Sequence, residues 1–424
     1  MNAETVNGLL GITESFRMPD ALKAKLLDPV EKTKLFDSLM AVGESLDHDW
    51  FTEYFQTEHG DRDKLKQDYT PDCVCEIAAS VTGTDGVVAD ICSGTGGLTL
   101  KAWQLGAREF YCVEFAERAI PVLLTNLAIR NIKATVVHGD ALTKETFNAY
   151  RLTPGEKYSD IEVLEDTTGV QDVAADRVIM NPPYSMKWSG DRGFFGYETP
   201  PKSKSDLAFV LDGLEKLKDG GVLTAVLPHG VLFRGSAEGK IRKKLIENNL
   251  FNAIIGLPNN LFLNTGIPVA IVQLKKGKTD DGVLFIDADK ECIKEGKQNV
   301  MQPEHIKKVL DAYRGRCFVD KFAYVTNFKE LEENDFNMNI PRYVDTYVPP
   351  PPIDAAAVSK ELLDLSCEIV ETEKTVLSYL DELVAYEPKL QRELDTVRTN
   401  WRKIIEVQTG KADGYSGRQP SEEG

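Results

Sequence analysis

The segment Asn181-Pro182-Pro183-Tyr184 combines an amide, two prolines and an aromatic ring directly after the apolar residues 178–180. The pattern predicts a strand that ends in a stiff loop, because each proline fixes its own φ angle and restricts the residue before it. An amine on a flat heterocycle can donate one hydrogen to the Asn181 side-chain oxygen and one to the Pro182 carbonyl, while Tyr184 stacks on the ring. The nitrogen lone pair is then directed at an electrophile. The segment is a candidate catalytic site for a planar amine.

The competing interpretation is that Asn-Pro-Pro is only a turn. A string of Asn, Asp or Ser, then Pro-Pro and an aromatic residue, is expected by chance in on the order of one in a hundred chains of this length. The neighbouring motifs therefore decide between the two interpretations.

A second candidate site lies upstream, where an apolar strand over residues 87–91 leads into the turn Cys92-Ser93-Gly94-Thr95-Gly96-Gly97 and a helical pattern over residues 98–105. This is a nucleotide-binding layout, because glycine lets the backbone approach a ligand and a helix N-terminus offers unpaired N–H groups. The spacing is neither Gly-x-Gly-x-x-Gly nor that of a phosphate loop. A purely structural turn remains the alternative.

Two further apolar segments end in acids. Glu114 follows the glycines by about twenty residues, where a ribose-binding carboxylate usually falls, and Asp140 follows the next segment. Ligands of open parallel sheets bind at the carboxyl ends of the strands. Asp90, Glu114, Asp140 and Asn181 are therefore expected to converge on one crevice, although each acid taken alone is more often a helix cap or a solvated loop residue.

These motifs, in this order along the chain, resemble those of an S-adenosylmethionine-dependent N6-adenine DNA methyltransferase, and specifically those of the modification subunit of a Type I restriction-modification system. The resemblance covers residues 66–345. It also rests on Asp68-Tyr69-Thr70-Pro71, which is similar to the family's Phe-Thr-Pro segment, and on the later sheet segments 220–228, 254–258 and 261–267. An aromatic residue often occupies the family's position of Asp68.

The resemblance implies a role for individual residues. The catalytic set is Asn181, Pro182, Pro183 and Tyr184, acting on an adenine that has left the duplex. Residues implied to bind S-adenosylmethionine are Tyr69, Thr70, Pro71, Asp90, Ser93, Gly94, Thr95, Gly96, Glu114 and Asp140. Among these, Glu114 would hold the ribose and Asp140 would lie beside the cofactor adenine. No metal is expected, because the seven cysteines and five histidines are dispersed.

The fold class expected is α/β: a doubly wound, mostly parallel, seven-stranded S-adenosylmethionine-dependent methyltransferase sheet over residues 66–345. Residues 1–65 are expected to form a helical N-terminal region. Residues 346–424 are expected to form a proline-rich spacer and a helical tail for subunit interaction.

The tail carries apolar residues at heptad spacing, and Pro388 is expected to kink its helix or split it in two. The heptad positions are Leu362, Ile369, Val376, Leu383, Leu390, Val397 and Ile404. The pattern predicts a surface for a partner. The alternative is a helical hairpin that packs on its own domain.

The net charge of −17 argues against strong DNA binding by the chain alone. Two basic clusters are local exceptions. One follows the catalytic motif and is interleaved with aromatic residues, so it suits either a segment that orders on DNA or a mobile surface loop. The clusters are Lys187, Arg192, Lys202 and Lys204, and Lys240, Arg242, Lys243 and Lys244.

No stretch looks like a domain that reads DNA sequence, so the resemblance implies a separate specificity subunit that packs on the C-terminal helices. Double-stranded DNA, a second copy of the chain and a restriction subunit are the other implied partners. The sequence has no apolar run of eighteen residues, so no membrane contact is expected. A cytoplasmic location is expected instead. Two other functions fit the motifs: methylation of RNA or of glutamine N5 in a protein, and a non-catalytic scaffold.

Overall fold

The structure, a computed structural model, describes residues 3–43, 45–51, 54–55, 70–263, 265–347 and 353–410. It divides into two compact units, Met1–Tyr347 and Val348–Gly424. The boundary expected between residues 65 and 66 lies outside the described residues, and the division into three domains stays a prediction.

The first unit consists of helices around an open sheet. Its described helices are α1 (Ala3–Leu10), α2 (Met18–Leu26), α3 (Pro29–Val42), α4 (Asp72–Thr82), α5 (Gly97–Gln104), α6 (Ile120–Ile129), α7 (Asp206–Lys216), α8 (Ser236–Glu247), α9 (Pro303–Gly315) and α10 (Phe328–Glu333). Its described strands are β1 (Val87–Asp90), β2 (Glu109–Glu114), β3 (Lys133–Gly139), β4 (Thr146–Thr153), β5 (Asp160–Val163), β6 (Ala175–Met180), β7 (Leu217–Pro228), β8 (Phe251–Gly256), β9 (Val269–Lys275), β10 (Val283–Asp287), β11 (Ile293–Glu295), β12 (Gln298–Val300) and β13 (Ala323–Thr326).

The α/β fold class is confirmed, but the sheet is larger than expected. In the described ranges it has eleven strands in the order β13-β10-β8-β9-β7-β6-β1-β2-β3-β4-β5, and β11 pairs with β12 separately. Seven neighbouring strands in the sheet, β8-β9-β7-β6-β1-β2-β3, correspond to the expected sheet. Within this set, the pairs from β7 to β3 are parallel, and β9 is antiparallel to both of its neighbours. The sheet thus gains β4 and β5 at one edge and β10 and β13 at the other.

The strand count was underestimated partly because edge strands lack the apolar runs of buried parallel strands. Strand β5 has no buried residue, and three of the eight residues of β4 are buried. By contrast, five of the six residues of β2 are buried. Both strands β4 and β5 are antiparallel additions that one solvated face makes hard to recognise in a sequence.

Buried side chains form two clusters on the two faces of the sheet. Phe110 and Cys112 of β2 belong to one cluster, and Tyr111 and Val113 belong to the other. This alternation is the two-residue period of a strand. Helices α2, α3, α4 and α6 contribute to the first cluster, so the N-terminal helices cover the same face as the helices that follow β1 and β2.

Arg130 ties the N-terminal region to this face. Its buried guanidinium donates to the carbonyls of Leu46 at 2.9 Å and His48 at 2.7 Å. It also lies 5.9 Å from the ring centroids of both Trp50 and Trp103. Burial lowers the pKa of Arg130 to about 10, so the group remains charged at neutral pH.

The second unit is a helical hairpin of α11 (Ala355–Glu382) and α12 (Pro388–Gln408). Pro388 splits the tail into two helices, which confirms one of the two expected outcomes. The helices run antiparallel, because Trp401 donates to the Glu373 carbonyl while Arg398 donates to the Leu380 carbonyl. In the described part of the chain, no helix has both the length and the apolar content needed to cross a bilayer.

We expect Arg130→Ala to lower the free energy of unfolding by about 3 kcal/mol, because two carbonyls lose a charged donor and two tryptophan rings lose a packing partner. The matched control is Arg151→Ala, which removes an exposed ion pair with Glu162 and should cost less than about 1 kcal/mol. Urea unfolding of both variants measures the difference. Equal losses in the two variants would show that Arg130 does not anchor the N-terminal region.

Candidate functional site

The glycine loop (residues 92–97) and the catalytic loop that begins at Asn181 follow adjacent parallel strands. Both loops lie at the carboxyl ends of the strands, which we call the rim of the sheet. Strand β1 lies between β6 and β2, and Asp90 at its end is opposite Ile179 on one side and Cys112 on the other. The Ile91 N–H donates to the Ile179 carbonyl at 3.3 Å, which extends the pairing past the end of β1. The loop that begins at Asn181 is therefore a direct neighbour of the glycine loop.

Within the catalytic loop, two hydroxyl groups hold the Asn181 amide. The amide NH2 donates to Thr70 Oγ1 at 2.8 Å, and the Tyr184 hydroxyl donates to Asn181 Oδ1 at 2.8 Å. Pro182 is buried and Pro183 is partly buried, as expected for a fixed backbone. The structure thus brings Thr70 to the catalytic motif, whereas the sequence suggested only a contact with the cofactor.

An aromatic side chain from a distant segment completes this region. Phe262 is buried and meets the Tyr184 ring edge to face, with centroids 6.0 Å apart and planes at 75°. Its segment was recognised only as part of the later sheet. The aromatic residue itself was the available signal, but its partner could not be found without the fold.

A buried carboxylate holds the far end of the loop. Ser185 has a left-handed backbone with φ of +51°, and its N–H donates to Asp206 Oδ1 at 2.8 Å. Asp206 is fully buried at the start of α7, and its other oxygen faces Arg234 at 3.4 Å. Arg234 also pairs with Glu238 at 3.3 Å. Sequence reasoning missed this group, because an acid in the first turn of a helix is common.

The glycine loop and Glu114 are in direct contact. The Gly94 N–H donates to the Glu114 carboxylate at 2.7 Å, and the Ala116 N–H donates to its other oxygen at 2.6 Å. Gly94 and Gly96 have φ angles of +54° and +99°, which favour glycine. Burial raises the pKa of Glu114, while these backbone N–H groups act in the opposite direction.

Asp90 is fully buried, and only one of its two carboxylate oxygens accepts a hydrogen bond from a described residue. Thr99 Oγ1 donates to Asp90 Oδ2 at 2.7 Å, while Oδ1 has no hydrogen-bond partner among the described residues. Burial raises the pKa of Asp90 to about 7, and the Thr99 hydrogen bond only partly offsets this effect. A buried, unpaired acceptor of this kind suits a cationic or hydrogen-bond-donating ligand.

The remaining expected site residues are placed as follows. Asp140 Oδ1 accepts the Leu142 N–H at 2.8 Å, so this carboxylate holds a local turn. Ser93 Oγ donates to the Asp90 carbonyl at 2.8 Å, and the Thr95 carbonyl accepts from Asn126 at 2.9 Å. Pro71 precedes α4, and Tyr69 lies outside the described residues. In the described ranges, no three His, Cys, Asp or Glu side chains are grouped to hold a metal ion.

Two residues of the basic clusters are used inside the fold. Arg192 pairs with the fully buried Asp212 at 2.7 Å. Arg242 donates to the carbonyls of Phe336 at 2.8 Å and Val231 at 3.1 Å. These guanidinium groups neutralise or satisfy interior acceptors. The ordering of the first cluster on DNA stays a prediction.

The fold and its rim define the class of protein. The structure is similar to the Type I restriction-modification methyltransferase subunit from Streptococcus thermophilus, with a TM-score of 0.58 and 34% identity over 77% of this chain and 67% of that one. The chain belongs to the N-6 DNA methylase family, whose model matches residues 48–348.

Curated relatives point to the same group. The chain is 26% identical to the Type I restriction enzyme MpnII methylase subunit of Mycoplasma pneumoniae over 74% of its own length. It is 27% identical to the MjaVIII methylase subunit of Methanocaldococcus jannaschii over 79% of its length. In both comparisons the chain spans 59% of the relative's length.

Asp90 should make the stability of the protein depend on pH. Its folded pKa of about 7 lies above the ordinary value of 3.8, so the stability it contributes is complete at low pH and is lost as the pH rises through 7. Between about pH 5 and about pH 8 the loss is about 3 kcal/mol. Asp90→Asn removes this dependence, so urea unfolding should show that the variant gains relative to the wild type at the higher pH.

The exposed Asp85 gives the control, because Asp85→Asn should shift the free energy of unfolding by less than about 1 kcal/mol at either pH. Parallel pH profiles for the wild type and Asp90→Asn would contradict the assignment of the raised pKa to Asp90.

Proposed function

We propose that this chain is an S-adenosyl-L-methionine-dependent DNA adenine-N6 methyltransferase and acts as the modification subunit of a complex with a separate specificity subunit. The observation that carries the proposal is the Asn181 amide. Its oxygen accepts from the Tyr184 hydroxyl on a proline-stiffened loop, and the strand before this loop pairs with the strand that leads into the glycine loop. Membership of the N-6 DNA methylase family supports the same reaction.

In the proposed complex, Asn181 Oδ1 and the Pro182 carbonyl accept the two hydrogens of the adenine amine. The Tyr184 ring stacks on the base, and Phe262 supports Tyr184 from its edge. Adenine N6 is paired and stacked inside duplex DNA, so the base must be extruded before these contacts can form. Catalysis by these residues then comes from positioning and from preorganised acceptors.

The rim residues fit S-adenosylmethionine, which supplies a methyl group on a sulfonium centre when it is bound. The unpaired Asp90 oxygen offers an acceptor to a cationic amine, and a bound cation would favour the ionised form of this carboxylate. Glu114 already accepts two backbone N–H groups and has further lone pairs for ribose hydroxyls. Other residues in the proposed cofactor set are Tyr69, Thr70, Pro71, Ser93, Gly94, Thr95, Gly96 and Asp140.

We expect Asn181→Ala to abolish methyl transfer, because one of the two acceptors that orient the amine is lost. Cofactor affinity should stay within a few-fold of the wild type, since the side chain faces the amine. The assay measures transfer of tritiated methyl from S-adenosylmethionine to unmethylated duplex DNA, with and without the specificity subunit, and calorimetry measures cofactor binding. Asn334→Ala, outside the site, is the control.

Label in N6-methyladenine only when the specificity subunit is present would support the split between subunits. Label without that subunit would mean that this chain finds its own sites. An absence of label in DNA under both conditions would overturn the proposal, and RNA or a protein glutamine would then be tested as acceptors. Substantial activity of Asn181→Ala would reject the role given to that amide.

The helical hairpin is the proposed surface for the specificity subunit. Val376 and Leu380 of α11 and Leu394 and Trp401 of α12 are partly buried where the two helices meet. Other apolar residues on the same helical faces remain exposed. They are Leu362 and Ile369 of α11, Leu383 directly after α11, and Leu390, Val397 and Ile404 of α12. Two helices with an exposed apolar stripe are half of a helical bundle, which partner helices would complete.

We expect Ile369→Asp to weaken binding of the specificity subunit at least about tenfold, because a buried charge without a partner is costly at an apolar interface. Glu368→Ala, one residue away and exposed, is the matched control and should bind normally. Calorimetric titration measures both affinities, and melting temperatures of the isolated chains show whether folding is affected. If Ile369→Asp lowered the melting temperature of the isolated chain but left the complex intact, the stripe would instead pack on its own domain.

A further inference from the structure

The Asn181 amide has two chemically different ends, and a different kind of hydroxyl meets each one. Thr70, which carries an aliphatic hydroxyl, accepts from the NH2 end, and Tyr184, which carries a phenol, donates to the oxygen end. A phenol is a stronger donor and a weaker acceptor than an aliphatic alcohol, because its lone pair is delocalised into the ring. The pair therefore favours this amide orientation over its reverse.

The orientation decides whether Asn181 can act on an amine. With the oxygen facing the Tyr184 side, the amide can accept a hydrogen from a substrate amine. With the amide reversed, an N–H would face an N–H, and the contact would be repulsive. A group that fixes the direction of the Asn181 amide therefore determines whether its oxygen can accept a hydrogen from the substrate amine.

Thr70 is well placed to fix it, since the segment that follows it constrains its backbone. Pro71 restricts Thr70 to extended conformations, and the Pro71 carbonyl accepts the N–H groups of Val74 and Cys75 at 2.9 Å in the first turn of α4. The Cys75 thiol also donates to the Thr70 carbonyl at 3.6 Å. Helix α4 is mostly buried, so Thr70 is attached to the start of a firmly packed element.

We propose that Thr70 is a positioning residue for Asn181: its hydroxyl fixes the amide with the oxygen toward the substrate, and the Tyr184 hydroxyl occupies that oxygen until the adenine amine replaces it. This inference rests on the proposed function and adds to the cofactor role that the sequence implied for Thr70. It also connects the segment that precedes α4 to the acceptor of the amine, across a sequence separation of 111 residues.

The test compares Thr70→Val, which keeps the shape but removes the hydroxyl, with Thr70→Ser, which keeps the hydroxyl. In the complex with the specificity subunit, Thr70→Val should lower kcat for methyl transfer about 10- to 100-fold, while Thr70→Ser stays within about threefold of the wild type. The kcat is measured at saturating S-adenosylmethionine, and calorimetry should find that Thr70→Val loses less in cofactor affinity than it loses in kcat.

A second measurement requires no cofactor. Duplexes carrying the sequence that becomes methylated are prepared with adenine or with purine, which lacks the amine, at the target position. The ratio of the two affinities is compared between Thr70→Ser and Thr70→Val, so the cost of opening each base pair cancels. We expect Thr70→Val to weaken the preference for adenine that Thr70→Ser keeps, since one of the two hydroxyl groups that orient the Asn181 amide is gone.

A double-mutant cycle makes the assignment specific. In Asn181→Asp both ends of the side chain are oxygens, so its direction carries no information, and adding Thr70→Val should cost much less than it does beside Asn181. Equal effects of Thr70→Val in both backgrounds, an unchanged adenine preference, or a loss confined to cofactor affinity would each overturn the inference. Failure of the wild type to methylate DNA would instead reject the proposed function.

Discussion

The parallel pairing of β1 with β6 is the constraint on which the site depends. It places Asp90 opposite Ile179, so the chain turns into the glycine loop beside the point where the next strand turns into Asn181. A slip of one residue would exchange the two faces of β6 and move its buried residues out of their clusters. The packing of Val178 and Ile179 on opposite faces therefore fixes the register and, with it, the distance between the two loops.

The rim achieves this geometry at a cost in stability. Asp90 and Glu114 are buried at the ends of neighbouring strands, and burial raises the pKa of both. Glu114 is compensated by two backbone N–H groups, whereas one oxygen of Asp90 is not compensated among the described residues. A protein selected only for stability would place an apolar residue at this position. In the proposed complex, a donor group on the bound cofactor would pair with this carboxylate.

The local parts of the site could be predicted from the sequence, because each is a strand followed by a distinctive turn. Asp90, Glu114 and Asn181 follow apolar runs, and the parallel sheet aligns their ends. Contacts between distant segments could not be predicted in this way. Thr70 reaches Asn181 across 111 residues, and the Asp206 carboxylate reaches Ser185 across 21. Neither spacing carries a local signal, since both depend on how helices pack against the sheet.

The basic residues illustrate the same limit. A run of cationic residues in a sequence does not reveal whether one of them forms an ion pair with a buried carboxylate. Arg192 lies in such a run, yet it pairs with Asp212, which is fully buried and also meets Lys216 at 3.2 Å. Breaking this group would leave an unpaired buried charge, so the guanidinium is not free to be exchanged for a phosphate contact.

The interior roles of Arg192 and Arg242 affect how DNA binding is shared between the subunits of the proposed complex. The net charge of −17 opposes binding to a DNA backbone, and Arg192 and Arg242 are engaged in the interior. The chemistry that it does offer is a rigid amide, an aromatic ring and a buried carboxylate, and none of these provides long-range attraction to DNA. In the proposed complex, a partner would therefore supply much of the affinity for the duplex, and the exposed apolar stripe of the hairpin is the surface proposed to recruit that partner.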